Sequence, residues 1–276
     1  MVDSPDRRAQ TISFQERNAD QDTSILFLHG GGGSHVEWKR VASQPSLAAY
    51  HLVLVDLPGH SASRDIGPFS LELAADEVQK VIQEHAHHGK AHVVGFSLGA
   101  FVTLFLTARH PDRVLSAFAT GAYPYKGLFK WAMARPGVMW CLNSIESLPG
   151  VPAMTLRMQG IDGEEWLAEI KSNKSWERSK AVMRDLSNFE MGHVQSVADS
   201  GVRTCVVAGG KMDQVDAVKE MGVVLRGGGK KKSVVNEAVV VRDAYHPWHL
   251  QFPGLFADGV AAWVKGDELP EEFEIL

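Results

Sequence analysis

Ala91–Val102 reads AHVVGFSLGAFV: a short apolar strand, then Gly95-Phe96-Ser97-Leu98-Gly99, then small and apolar residues that open a helix. This is G-x-S-x-G with a strand before it and a helix after it. A chain that turns from strand to helix at one residue strains that residue's backbone. It also brings strand and helix so close that the positions two residues either side must be small. Gly95 and Gly99 meet that need and leave Ser97 at the tip of the turn. A serine can also sit in a glycine-containing turn without doing chemistry, so the rest of the chain must decide between the two readings.

The flanking sequence repeats one rhythm. Thr11–Glu16 alternates weakly, as an edge strand does, and Ser24–Leu28 (SILFL) is a continuous apolar run of the kind buried on both faces of a sheet. It leads into His29 and four consecutive glycines, Gly30–Gly33, which let the backbone approach another group closely. A helix is predicted from Trp38 to Ala49, a strand over His51–Val55, and a turn-rich loop over Asp56–Ser63. Ser70–His85 has apolar residues at helical spacing and acids near its start. After the nucleophile-like turn, a helix runs to about Arg109 and a strand covers Val114–Thr120.

From Tyr123 to about Ser200 the rhythm stops, in a mostly helical stretch holding Trp131, Trp140, Trp166 and Trp176. It then resumes with a strand over Val202–Ala208, a helix over Gln214–Leu225, a basic loop from Arg226 to Lys232, a strand within Ser233–Arg242 and a helix over Phe256–Val264. The acidic tail ELPEEFEIL is expected to be loosely held. Strands alternating with helices imply an α/β class, a mainly parallel sheet with helices on both faces. The chain divides into a first part of the core (1–122), a helical lid or cap insertion (123–200) and a second part of the core (201–276).

Composition narrows the function classes. With 45% hydrophobic and 22% charged residues and a formal charge of −5, the chain is that of a globular protein. Nothing in that balance points to nucleic acid or to an anionic membrane surface. No apolar run reaches the length of a membrane span, and MVDSPDRRAQ lacks the apolar core of a secretory signal, so a cytoplasmic location is expected. Cys141 and Cys205 have no metal-like spacing.

Ser97, Asp213 and His246 each follow a predicted strand, at the sheet edge where open α/β folds bind ligands. The three types suit one chemistry. A serine hydroxyl is a poor nucleophile until an imidazole takes its proton. The imidazole needs a carboxylate to set its tautomer and stabilise the imidazolium. The developing oxyanion needs preorganised N–H donors, for which Gly31 and Leu98 are placed. Asp216 and Asp243 compete with Asp213, and His249 competes with His246. Phe96 and Trp248 flank catalytic positions and, with Trp131 and Trp140 of the insertion, are candidates to line a substrate pocket. The competing role for those aromatics is plain packing. His29, His60 and Asp56 read as loop-fixing residues.

These motifs together resemble the α/β-hydrolase-fold serine hydrolases, esterase- or lactonase-like with a helical lid, over nearly all of residues 24–265. HGGGG at 29–33 resembles the family's oxyanion loop, and DLPGHSAS at 56–63 its D-x-x-G-H-G-x-S loop with Ser61 for the second glycine. GFSLG at 95–99 is similar to the nucleophile turn, AGGKMD at 208–213 to the acid loop, and HPWHLQFPGLF at 246–256 to the histidine segment. Tyr245 replaces the usual glycine, and Gln251 stands where glutamate is common.

The resemblance implies a lid inserted after the sixth strand of the family's count. It also implies an acyl-serine mechanism with Ser97 as nucleophile, His246 as base and Asp213 as orienting acid, and no metal or other cofactor. The substrate it implies is a small, apolar carbonyl compound: an ester, lactone or thioester. Lid helices of this kind sometimes make homodimer contacts. C–C bond hydrolysis or a lyase reaction by the same triad is a second reading, and a ligand receptor on the same scaffold is a third.

Overall fold

Eight strands form one sheet in the computed structural model, which describes residues 11–140, 150–228 and 235–276. The N-terminal decapeptide, Cys141 and most of the basic GGGKKK loop lie outside the described residues. The strands are β1 (Phe14–Arg17), β2 (Ser24–Leu28), β3 (His51–Val55), β4 (Ala91–Phe96), β5 (Val114–Thr120), β6 (Arg203–Gly209), β7 (Glu237–Val241) and β8 (Phe273–Ile275). Their spatial order is β1-β3-β2-β4-β5-β6-β7-β8. The six inner strands run parallel, and the two edge strands are antiparallel to β3 and β7. All five residues of both β2 and β3 are buried, as continuous apolar runs predict.

The pleat splits the core into two layers. Leu26 and Leu28 of β2 face one layer, with α1 (Leu71–His85), α2 (Leu98–Arg109) and the later helices. Ile25 and Phe27 face the other, with Trp38, Phe256 and Trp263. Between β5 and β6 the chain runs through α3 (Gly127–Met133), α4 (Val151–Met158), α5 (Glu164–Ser172), α6 (Trp176–Ser187) and α7 (Met191–Ser200). This helical segment follows the fifth described strand, which is the sixth in the family's count. After β6 come α8 (Val215–Gly227), β7, and α9 (Pro253–Lys265). Among the described residues no helix is long and apolar enough to cross a membrane.

The chain departs from expectation in two places. The helix predicted over 38–49 is instead single turns at His35–Trp38, Lys39–Ala42 and Pro45–Leu47, because Pro45 cannot continue the preceding turn. The tail is not loose. Phe273 is 6% exposed and pairs with Val241 across the sheet edge. Its ring fills the space over Gly259, where a Cβ would stand 2.3 Å from Phe273 Cζ. One buried aromatic outweighs the acidic residues around it.

Candidate active site

The loops that follow β2, β4, β6 and β7 leave the same carboxyl edge of the sheet, because these strands run parallel. The chain reverses direction across the sheet at β2, which pairs with both β3 and β4, so the site lies at a topological switch point. Ser97 has φ 51° and ψ −114°, a strained conformation for a residue with a Cβ, and heads α2. Its N–H donates to Thr120 O at 2.8 Å. The flanking glycines are obligatory. A Cβ at Gly95 would lie 2.3 Å from Gly99 O, and one at Gly99 would lie 2.0 Å from Leu28 O. The Gly99 N–H donates to His29 O, tying the start of α2 to the end of β2.

The run after His29 folds into a tight turn. Gly33 N–H donates to Gly30 O at 3.0 Å, and Gly32 takes φ +81° at the position where a type II turn requires it. Gly31 is exposed. Neither its N–H nor that of Leu98 enters a main-chain hydrogen bond outside regular helices and strands among the described residues.

The structure brings Asp213 and His246 together. His246 Nδ1 lies 2.5 Å from Asp213 Oδ1, so Nδ1–H donates to the carboxylate and the lone pair is left on Nε2. Asp213 is nearly closed off, its side chain 1% exposed against 29% for His246. Its second oxygen accepts the Gly209 N–H at 2.7 Å. Among the described residues no hydrogen bond joins His246 to Ser97; such contacts commonly tighten only around a substrate.

The rival acids stand elsewhere. Asp216 is exposed in the first turn of α8, and Asp243 is exposed and pairs with Lys211. The histidine loop is held by Gln251, whose Oε1 accepts the Tyr245 N–H at 3.0 Å. A glutamate could accept the same bond, so this departure from the family pattern keeps the function of the position.

Beneath the site is a buried pair that sequence reasoning does not single out. Glu37 Oε2 accepts the Gly30 N–H at 3.0 Å, and Glu37 Oε1 approaches His249 Nε2 at 2.8 Å, off the line of a hydrogen bond. Both side chains are fully buried. The Phe96 ring lies 4.8 Å from the His246 ring and 4.3 Å from that of His249. Phe96 is therefore a wall behind the base rather than an exposed pocket surface. The signal available in the sequence is an acid seven residues beyond Gly30 and a second histidine three beyond His246, and neither indicates a partner.

Asp56, His29 and His60 fix backbone. Asp56 Oδ1 accepts both the N–H and the Nδ1–H of His35. Burial works to raise the Asp56 carboxyl, but these two bonds outweigh it and hold it below its ordinary value. His29 donates from Nδ1 to Gly30 O and accepts the Leu57 N–H at Nε2. Burial lowers His29, lowers His60 well below its ordinary value, and lowers His92 to about 4.

Each of these histidines therefore binds its proton less readily when folded than when unfolded, where the value is near 6.5. Their contribution to stability is complete above pH 6.5 and is lost as the pH falls through the folded values. His92 alone accounts for about 3 kcal/mol between pH 6.5 and 4. The thermal midpoint should fall across that window, and His92→Gln should flatten the fall. A wild-type midpoint constant from pH 6.5 to 4 would contradict this.

The helical segment reaches the glycine turn through α5 and the residue after it. Ile170 lies over Gly32, where a Cβ would stand 3.7 Å from its Cγ1 and Cγ2. Asn173, 6% exposed, donates from Nδ2 to Gly32 O and Gly33 O at 3.1 Å each, and its Oδ1 accepts the Ser61 N–H at 2.8 Å. Burial, with the Asp213 charge, pushes the Tyr123 phenol up to about 12.

Of the aromatics expected to line a pocket, Trp248 is corrected. Trp248 is fully buried, with its ring on Phe256 and Phe273 and its Nε1 donating to Thr120 Oγ1. It belongs to the core. Trp131 is 47% exposed, with the Arg135 guanidinium 4.4 Å from its ring. Trp140 packs edge-on against Trp176, an interaction within the segment.

Comparison with known proteins agrees with this architecture. The profile of the alpha/beta hydrolase fold family matches residues 23–149. An AB hydrolase superfamily protein of Gibberella zeae is 28% identical, over 96% of this chain and 88% of that one. A pimeloyl-[acyl-carrier protein] methyl ester esterase of Neisseria meningitidis is 37% identical over 112 residues. That match takes in 40% of this chain and only 34% of the relative. The solved structure of a thermophilic esterase from Thermogutta terrifontis superimposes with a TM-score of 0.66 at 18% identity, covering 92% of this chain and 93% of that one.

Proposed function

We propose, on the premise that this chain is an α/β-hydrolase, that it cleaves a small ester, lactone or thioester through an acyl-serine intermediate. The observation that carries the reading is Ser97, strained at the head of α2, on the same sheet edge as a His246–Asp213 pair at 2.5 Å. His246 Nε2 takes the Ser97 proton as Oγ attacks the carbonyl carbon. Asp213 stabilises the imidazolium. The N–H groups of Gly31 and Leu98 hold the oxyanion, and His246 then protonates the departing alcohol or thiol. Water, deprotonated by His246, releases the acid and restores Ser97. Relatives named as esterases support the ester class. Ile170 over the glycine turn supports an apolar acyl group.

A panel of p-nitrophenyl esters, thioesters, lactones and vinylogous diketones tests the class. Turnover of the first three groups supports the reading, and turnover of the diketones alone replaces it with C–C bond hydrolysis. Gly31 tests the oxyanion donor. A Cβ there would meet only Leu98 Cβ, at 4.0 Å, and its φ is not in the left-handed region. Gly31→Ala keeps the N–H and should retain activity near that of the wild type. Gly31→Pro suits the second position of the turn but deletes the N–H, and should lower kcat by about 10²–10³-fold. Equal rates for the two variants would remove Gly31 from the mechanism.

A further inference from the structure

The glycine turn that presents the Gly31 N–H is not held by the core alone. Within the core, Glu37 anchors its start through the Gly30 N–H. Its far half is anchored from the helical segment. Asn173 follows α5 and spends both amide hydrogens on consecutive carbonyls, Gly32 O and Gly33 O, while its oxygen receives the Ser61 N–H from the loop after β3. The surroundings fix the amide's orientation, because two acceptors face one side of it and a donor faces the other. Other residue types do worse. Alanine would leave two carbonyls and an N–H without partners, and aspartate would set a carboxylate against two carbonyl oxygens. Arg178 of α6 reinforces the same docking by donating to Gly59 O and to Asn173 O.

The geometry points to Asn173 as a positioning residue that makes the oxyanion turn depend on the docked helical segment. This rests on the hydrolase reading only for what the turn does, not for whether Asn173 holds it. With the segment docked, Gly32 and Gly33 are pinned and the Gly31 N–H keeps its aim. With the segment lifted away, both carbonyls lose their partner and a turn of four glycines is free to change conformation. Closing the segment over bound substrate and completing the oxyanion site are then one event.

Two measurements on the full chain decide it. Hydrogen–deuterium exchange reads the turn without reference to catalysis: Asn173→Ala should speed exchange in the peptide that spans Gly30–Gly33. Lys130→Ala removes the exposed ion pair to Glu190, so it perturbs the same segment away from Asn173 and Arg178. It should leave the glycine peptide at the wild-type rate. In p-nitrophenyl ester hydrolysis, Asn173→Ala should lower kcat about 10- to 100-fold with little change in KM, as expected for a lost transition-state contact. Affinity for an alkyl boronic acid, whose oxygen occupies the oxyanion position once it adds to Ser97, should fall in parallel. Asn173→Asp should be worse on every readout, and Lys130→Ala should keep kcat.

Wild-type exchange at the glycine peptide of Asn173→Ala overturns the proposal, as does faster exchange with unchanged kcat and boronate affinity in an enzyme that hydrolyses esters. If the wild type turns over no ester at all, the hydrolase reading fails, and the exchange data still decide whether Asn173 holds the turn.

Discussion

Replacing Ser97 with alanine lowers turnover of a p-nitrophenyl ester by about 10⁵-fold or more and abolishes labelling by a fluorophosphonate. The expected loss is this large because base, acid and oxyanion donors act through that one oxygen. Without it His246 has no hydroxyl to deprotonate, and what survives is the modest contribution of binding and oxyanion stabilisation. The fold should be untouched. The Ser97 hydroxyl makes no hydrogen bond to a described residue, so its removal leaves no buried partner unsatisfied, and the N–H that anchors the elbow to Thr120 O remains. Alanine is no bulkier than serine at φ 51°. A thermal midpoint near that of the wild type together with lost labelling assigns the nucleophile; labelling retained in Ser97→Ala ends the assignment.

Features that constrain the chain locally are legible in the residues alone. The elbow is one, because the 2.3 Å and 2.0 Å approaches at Gly95 and Gly99 admit no other residue. The glycine turn is another, through the φ of Gly32. The parallel sheet is legible because β2 and β3 are apolar at every position after their first, Ser24 and His51. Contacts across long stretches of chain are not legible. Asn173 meets Gly33 across 140 residues, and its letter reads like that of any residue ending a helix. Glu37 has no letter-level sign of a partner and His249 is read only as a rival to His246, until the turn His35–Trp38 and the segment before α9 are laid side by side. Trp248 is misread for a related reason. An aromatic two residues from His246 has the same letter whether it faces the pocket or the core, and only the reach of its Nε1 to Thr120 decides.

Asp213→Asn tests the other half of the catalytic pair, and the surroundings of that carboxylate dictate the outcome. Oδ2 receives the Gly209 N–H at 2.7 Å. In the asparagine variant the amide oxygen takes that place, because the alternative sets an NH₂ against an N–H. The amide NH₂ is then left facing His246 Nδ1. Two donors cannot share that contact, so the imidazole shifts its proton to Nε2 and accepts at Nδ1. Nε2 now presents a hydrogen toward Ser97 and cannot take one from it. The rate should fall by about 10⁴-fold at neutral pH, with KM little changed. Both bonds that fix the loop survive in the exchange, so the thermal midpoint should stay near that of the wild type, and the loss belongs to the tautomer rather than to the fold. Asp213→Ala differs in kind: it also strips the Gly209 N–H of its acceptor in a buried place and should cost about 1–3 kcal/mol of stability. Activity in Asp213→Asn close to that of the wild type would mean that His246 takes its orientation from some other group, and the acid would have to be sought elsewhere on the sheet edge.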